Sequence, residues 1–89
     1  MTFIFIDKFG RSIRLTEERI KHIGYHMQLH DKLHIIEETL KHPNIIIQDN
    51  NIVYYQKYLK AEHLYFVIAV KVFNGHGFII TIFKSNNEK

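Results

Sequence analysis

Beyond its single proline, Pro43, the chain alternates short apolar runs with turn-forming residues, and this pattern most limits how it can fold. Asp49-Asn50-Asn51 and Asn74-Gly75-His76-Gly77 are turn signals between such runs, and Lys60-Ala61-Glu62 breaks another. The runs cover residues 44–48, 52–59, 63–73 and 78–84. Strands joined by such short turns pair with their neighbours, so the C-terminal half is predicted to be a four-stranded antiparallel sheet.

The residues before Pro43 carry helix signals. Thr16 is a good N-cap and acidic residues follow it, which predicts a first helix over residues 17–27. Asp31 is a second N-cap candidate, which predicts a second helix over residues 32–41. Residues 3–6 and 12–15 read as two short strands of a hairpin. The predicted fold class is therefore α+β, with a short N-terminal hairpin and two helices packed on the four-stranded antiparallel sheet.

Length and composition narrow the class of protein. A chain of 89 residues with 46% hydrophobic residues predicts a single domain over residues 1–89. The chain has no cysteine, which excludes a disulfide framework and a thiolate zinc site and fits a cytoplasmic location. No apolar run approaches the roughly 20 residues that span a bilayer, and no leader peptide is recognisable, so no membrane association is predicted. The formal charge of +3 slightly favours polyanionic partners.

The first predicted helix carries a basic residue and two imidazoles along one edge of its apolar stripe: Arg19, His22 and His26. Histidines also recur at positions 30 and 34, a spacing that suggests a metal stripe on one continuous helix. As an N-cap candidate, however, Asp31 predicts a break in that helix, and no further ligand is well placed, so we predict no metal site and no cofactor. No serine elbow and no phosphate-binding loop is present.

Histidine acid–base chemistry with cationic support is the remaining candidate, and it suffices to cleave RNA without a metal ion. Lys71 is the only charge within its predicted strand, and Tyr55 and Thr81 supply further polar groups. Arg19 and Lys57 are candidates for binding RNA phosphates, and Lys57 shares a strand face with Tyr55. Whether Thr81 lies beside Lys71 depends on the hairpin register. The alternative interpretation makes His22 and His26 hydrogen-bonded residues at the boundary of the core.

Several segments form a wider pattern: Ile13-Arg14-Leu15-Thr16-Glu17-Glu18-Arg19, His22-Ile23, His26, Glu38-Thr39-Leu40, Pro43, Tyr55, residues 66–72 and Gly77-Phe78-Ile79-Ile80-Thr81. Together they resemble the phage-associated nuclease domains of the barnase–EndoU–colicin–RelE-like (BECR) fold over about residues 13–84. The resemblance implies a metal-independent ribonuclease fold. His22 and His26 match the helix histidines of that family and Thr81 matches the threonine of its last strand, while Tyr55 and Lys71 match less closely.

Two functions follow as hypotheses. The first is an endoribonuclease that uses 2′-hydroxyl attack, a toxin of a toxin–antitoxin or phage-related system that is held by a cognate antitoxin. The second is a non-catalytic RNA- or protein-binding module on the same fold, favoured by the mixed charge and by Phe83, where the family carries tyrosine. A homo-dimer through the edge strand over residues 45–48 is compatible with either function.

Overall fold

A computed structural model describes residues 1–22 and 29–87 of the chain. Its elements, in chain order, are β1 Thr2–Ile6, β2 Ser12–Thr16, α1 Glu17–Lys21, α2 Leu29–Lys41, β3 Ile45–Asp49, β4 Ile52–Leu59, β5 Leu64–Phe73 and β6 His76–Ser85. Turns lie at all three predicted places, but the turn predicted over residues 74–77 is shorter, because His76 and Gly77 belong to β6. Asn74 and Gly75 both have positive φ and form the two-residue connection between β5 and β6, while Asn50 has positive φ between β3 and β4.

The strands form one six-stranded mixed sheet in the order β1-β2-β6-β5-β4-β3. Neighbours are antiparallel except for β2 and β6, which run parallel. The prediction of a four-stranded antiparallel sheet with a separate hairpin was therefore wrong. The physical reason is the β2–β6 pairing, which adds β1 and β2 to the meander and which no local turn signal encodes.

The two helices also differ from their predicted bounds. Thr16 is the N-cap of α1, as predicted, and its hydroxyl accepts from the backbone N–H of Arg19 at 3.1 Å. That helix ends at Lys21 with His22 as its C-cap, so it is shorter than predicted. Asp31 lies within the first turn of α2 and does not cap it. No helix in the described ranges has the length and apolar character needed to cross a membrane.

The core lies between α2 and one face of the sheet, which we call the inner face. From α2, Ile36, Thr39 and Leu40 are buried, and this helix packs on β1, β4 and β5. The apolar core side chains are Phe5, Ile13, Leu15, Ile20, Ile36, Leu40, Val53, Tyr55, Phe66, Ile68, Val70, Ile79 and Ile82. Because side chains alternate along a strand, the residues between these inner-face positions point to the opposite side, the outer face.

Gly77 lies where β6 passes between β5 and β2, paired with Val72 on one side and Ile13 on the other. A Cβ atom at this position would lie 2.7 Å from Val70 Cγ1 and 3.1 Å from the backbone oxygen of Lys71. The approach of these strands therefore leaves no space for a side chain at position 77.

We predict that Gly77→Ala lowers the free energy of unfolding by about 2 kcal/mol, because the added methyl group overpacks this position. Urea denaturation measures the change. In a Val70→Ala background the same substitution should lose at least half of its effect, since the shorter side chain removes the 2.7 Å contact. An equal effect in both backgrounds would contradict this account of the strand packing.

Candidate functional site

A cleft of about 630 Å³ lies on the outer face, over the four strands β1, β2, β6 and β5. Its lining residues are Thr2, Ile4, Arg14, Thr16, Arg19, Lys71, Phe78, Ile79 and Ile80. This lining, taken from the described part of the chain, includes three cations and no carboxylate. The cleft is therefore suited to a ligand that carries both negative charge and apolar surface.

The register of the sheet builds the centre of this cleft as one row across the strands. Arg14 of β2 is opposite Phe78 of β6, and Phe78 is opposite Lys71 of β5. Ile4 of β1 extends the row beyond Arg14. Neighbouring strands are about 4.8 Å apart, so the two cationic residues flank the phenyl ring with their Cα atoms roughly 10 Å apart. Phe78 is 45% exposed within the row.

Arg19 and His22 extend the cleft towards α1. The guanidinium of Arg19 donates from Nη1 to the backbone oxygen of Ile80 at 2.5 Å, which holds this side chain against the middle of β6. His22 is exposed and lines a neighbouring groove of about 390 Å³ together with Thr16, Glu18 and Arg19. Arg19 borders both cavities and so connects the imidazole of His22 to the row of cations.

A β-bulge decides where Thr81 lies. Val70 pairs with Ile79, whereas Ala69 pairs with Thr81, so Ile80 is the extra residue in β6. The bulge leaves Thr81 exposed on the outer face, the face that also carries Lys71. The sequence left open whether Thr81 lies beside Lys71. The two side chains share the outer face, but Thr81 is opposite Ala69, the next outer-face residue along β5 from Lys71.

Tyr55 lies on the inner face, where it is fully buried in a polar network with Asp7 and Arg11. Its hydroxyl donates to Asp7 Oδ2 and accepts from Arg11 Nη2 at 3.0 Å. The carboxylate of Asp7 also accepts from the backbone N–H of Phe9 at 2.9 Å and of Arg11 at 2.8 Å, and from Arg11 Nε at 2.9 Å. This network joins the turn between β1 and β2 to β4 and is remote from the outer-face cleft.

The hydrogen bonds of this network favour the ionised carboxylate. Burial by itself raises the pKa of Asp7, but the hydrogen bonds from Tyr55 and Arg11 outweigh it and hold that pKa below its usual value. Burial also raises the pKa of Tyr55 well above its usual value, and the neighbouring Asp7 carboxylate adds to this effect. Tyr55 therefore keeps its proton and acts as a hydrogen-bond donor inside the protein.

Lys57, the second predicted phosphate-binding residue, does not line the cleft. Lys57 lies on the inner-face side, where its Nζ donates to the backbone oxygen of His42 at 3.0 Å and is 3.8 Å from Glu38 Oε1. His26 lies outside the described residues. Within the described ranges, His, Asp and Glu side chains form no group of three or more arranged to hold a metal ion.

Two central residues of the cleft, Arg14 and Phe78, were not among the predicted site residues. A signal for Arg14 was present, since strict alternation with the apolar Ile13 and Leu15 points its side chain away from the core. The buried partners of Tyr55 were missed as well, because Asp7 is 48 positions away in the chain.

Comparisons of the chain with family models, with curated proteins and with solved structures find no match in any of the three. The inference about function therefore depends on the outer-face cleft and on the residues around it.

We predict that Asp7→Asn lowers the free energy of unfolding by about 2–3 kcal/mol at pH 7, because a buried, charge-assisted hydrogen-bond network loses its acceptor charge. In the unfolded chain Asp titrates near pH ~3.9, and the folded pKa is lower. The contribution of the carboxylate is thus fully present above about pH 4 and is lost as the pH falls through the folded value.

Denaturation of both proteins between neutral and acidic pH tests this sign. The difference in stability between wild type and Asp7→Asn should shrink on acidification below about pH 4. The exposed Asp49 provides the matched control, and Asp49→Asn should change stability by less than about 0.5 kcal/mol. A wild-type advantage over Asp7→Asn that persists unchanged in acid would contradict the stabilised carboxylate.

Proposed function

We propose that this chain is a metal-independent endoribonuclease of the toxin type that acts on RNA in the cytoplasm and binds it across the outer face. The observation that supports this proposal is that Arg14, Arg19 and Lys71 line one cleft with the exposed ring of Phe78. The exposed imidazole of His22 shares a neighbouring groove with Arg19. A polyanion with aromatic bases complements both the charge and the apolar surface of this cleft.

RNA binding is proposed to use the cations on the two strands that flank β6. Arg14 lies on β2 and Lys71 on β5, the two strands that flank β6, so both can contact successive phosphates of one RNA strand. Each phosphate contact releases condensed counterions, so affinity should fall with salt concentration, with a slope of about 0.7 per contact for a single strand. Among residues 1–22 and 29–87, neither Arg14 nor Lys71 takes part in a recorded ion pair, so both charges are available to a ligand.

The proposed cleavage is a transfer within the RNA. A base removes the proton of the 2′-hydroxyl, O2′ attacks the adjacent phosphorus, and the P–O5′ bond breaks as a 2′,3′-cyclic phosphate forms. An acid protonates the leaving 5′ oxygen, so protons and charge balance. Histidine suits either role because its side chain titrates near neutral pH as a residue type. We assign one role to His22 and, through the family resemblance, the other to His26. Lys71 stabilises the charge that develops on the phosphate oxygens.

A cognate antitoxin belongs to the same proposal. The outer-face cleft is exposed, and a protein that covers it would block RNA binding and cleavage together. The edge strand β3 is the corresponding candidate surface for a homo-dimer.

One observation favours the second candidate, a non-catalytic RNA-binding module. Tyr55 is sealed in the interior, and Lys57 lies on the inner-face side beside Glu38, so neither contributes to the cleft. Such a module would keep the cationic row and bind RNA without cleaving it.

Incubation of the pure protein with a labelled single-stranded RNA in EDTA tests the proposal. We predict cleavage products with 2′,3′-cyclic phosphate ends. His22→Ala should lower the cleavage rate by about 10²–10⁴-fold, the usual contribution of a general acid or base, with little change in RNA affinity. Lys71→Ala should weaken binding and reduce the salt slope by about 0.7. Lys41→Ala, an exposed cation at the end of α2, is the matched control and should alter neither property.

Three outcomes would contradict the enzyme proposal in different ways. Intact RNA after hours with salt-dependent binding would favour the binding module. Activity that EDTA abolishes would remove the metal-independent mechanism. A wild-type protein that neither binds nor cleaves RNA would exclude both candidates.

A further inference from the structure

Three aromatic rings cluster at one end of the outer-face cleft, where β5 turns into β6. Phe73, His76 and Phe78 lie there, and Phe73 is opposite His76 in the β5–β6 register. We infer that this cluster, which we call the aromatic platform, stacks on unpaired bases and restricts the ligand to single-stranded RNA. The inference rests on the proposed function and deepens it by naming the class of RNA.

The geometry leaves two phenyl rings available for stacking. The ring centroids of Phe73 and His76 are 6.1 Å apart with planes at 79°, and those of His76 and Phe78 are 5.9 Å apart with planes at 82°. His76 thus stands edge to face between its two neighbours. His76 is half-buried. The two phenyl rings are more exposed, Phe73 to 59% and Phe78 to 45%.

The platform is continuous with the cationic row, because Phe78 belongs to both. On its two sides lie Arg14 and Lys71, one strand away in each direction. An RNA strand whose phosphates contact these cations has its bases within reach of the platform. The platform and the cations therefore complement the two halves of one nucleotide.

Pairing decides which RNA can use this surface. In an A-form duplex the faces of the bases are stacked on one another and are closed to a protein side chain. In a single strand the bases can turn outward and stack on aromatic rings, with little dependence on sequence. A duplex would contact the cations alone, so the platform discriminates between the two forms.

The experiment compares binding of one non-cleavable RNA, about ten 2′-O-methyl nucleotides long, as a single strand and annealed to its complement. Wild type should bind the single strand more tightly. Phe73→Ala and Phe78→Ala should each weaken single-strand binding by about 5- to 150-fold, the range expected when one base loses its stacking partner, and should leave duplex binding nearly unchanged.

Matched substitutions separate stacking from apolar contact. Phe78→Trp should keep the affinity for the single strand, whereas Phe78→Leu, which is apolar but has no π face, should lose it. Tyr58→Leu is the control: Tyr58 is also exposed on the outer face, but it is opposite Tyr65, about 26 Å along β5 from Phe73, and its replacement should leave binding unchanged. Thermal melting of each variant verifies folding.

The outcomes distinguish this inference from the function on which it rests. Equal affinity for single strand and duplex, or full affinity in Phe78→Leu, would overturn the aromatic platform while leaving RNA binding by the cations intact. Full affinity in Phe78→Leu would identify the patch as an apolar contact surface of the kind that a protein partner uses. Absence of any RNA binding by wild type would overturn the inference together with the proposed function.

Discussion

The parallel pairing of β2 with β6 is the contact on which both the sheet and the candidate site depend. It joins the N-terminal hairpin to the meander and so converts two separate sheets into one. It also sets Arg14 beside Phe78, which already has Lys71 on its other side. The absence of a side chain at Gly77 allows this close approach. The same register that completes the core on the inner face therefore builds the cationic row on the outer face.

Two groups of polar side chains in the protein have different roles. In the network of Asp7, Arg11 and Tyr55, the carboxylate and the phenol are buried and Arg11 is half-buried, and the hydrogen bonds among them hold the β1–β2 turn against β4. Its side chains hydrogen-bond to one another, so the network stabilises the fold. The charges of Arg14 and Lys71 instead face solvent beside exposed apolar side chains, an arrangement that gives the fold little and suits a ligand. The polar groups that stabilise the fold thus lie on the inner face of the sheet, and the cations that a ligand can reach lie on the outer face.

Local signals in the sequence were sufficient for the strands, for the Asn74-Gly75 turn and for the Thr16 cap, because each depends on neighbouring residues. The β2–β6 pairing was not predictable in this way, since the whole helical segment and three strands separate its partners. The site residues were likewise predictable where local sequence determines them and not where distant residues do. Lys71 was recognised because it interrupts an apolar strand, whereas the position of Tyr55 depended on a distant carboxylate, and the bulge at Ile80 fixed the face of Thr81.

The most direct test of the central claim is an NMR titration of the isotope-labelled protein with a non-cleavable single-stranded RNA. Nuclear Overhauser contacts between Arg14 and Phe78 in the free protein report the β2–β6 register. Changes in chemical shift on titration report the surface that binds the ligand. We expect those contacts in the free protein, and on titration the largest shifts at Arg14, Phe78 and Lys71 with little change in α2. Largest shifts in α2, or no contact between Arg14 and Phe78, would contradict the account.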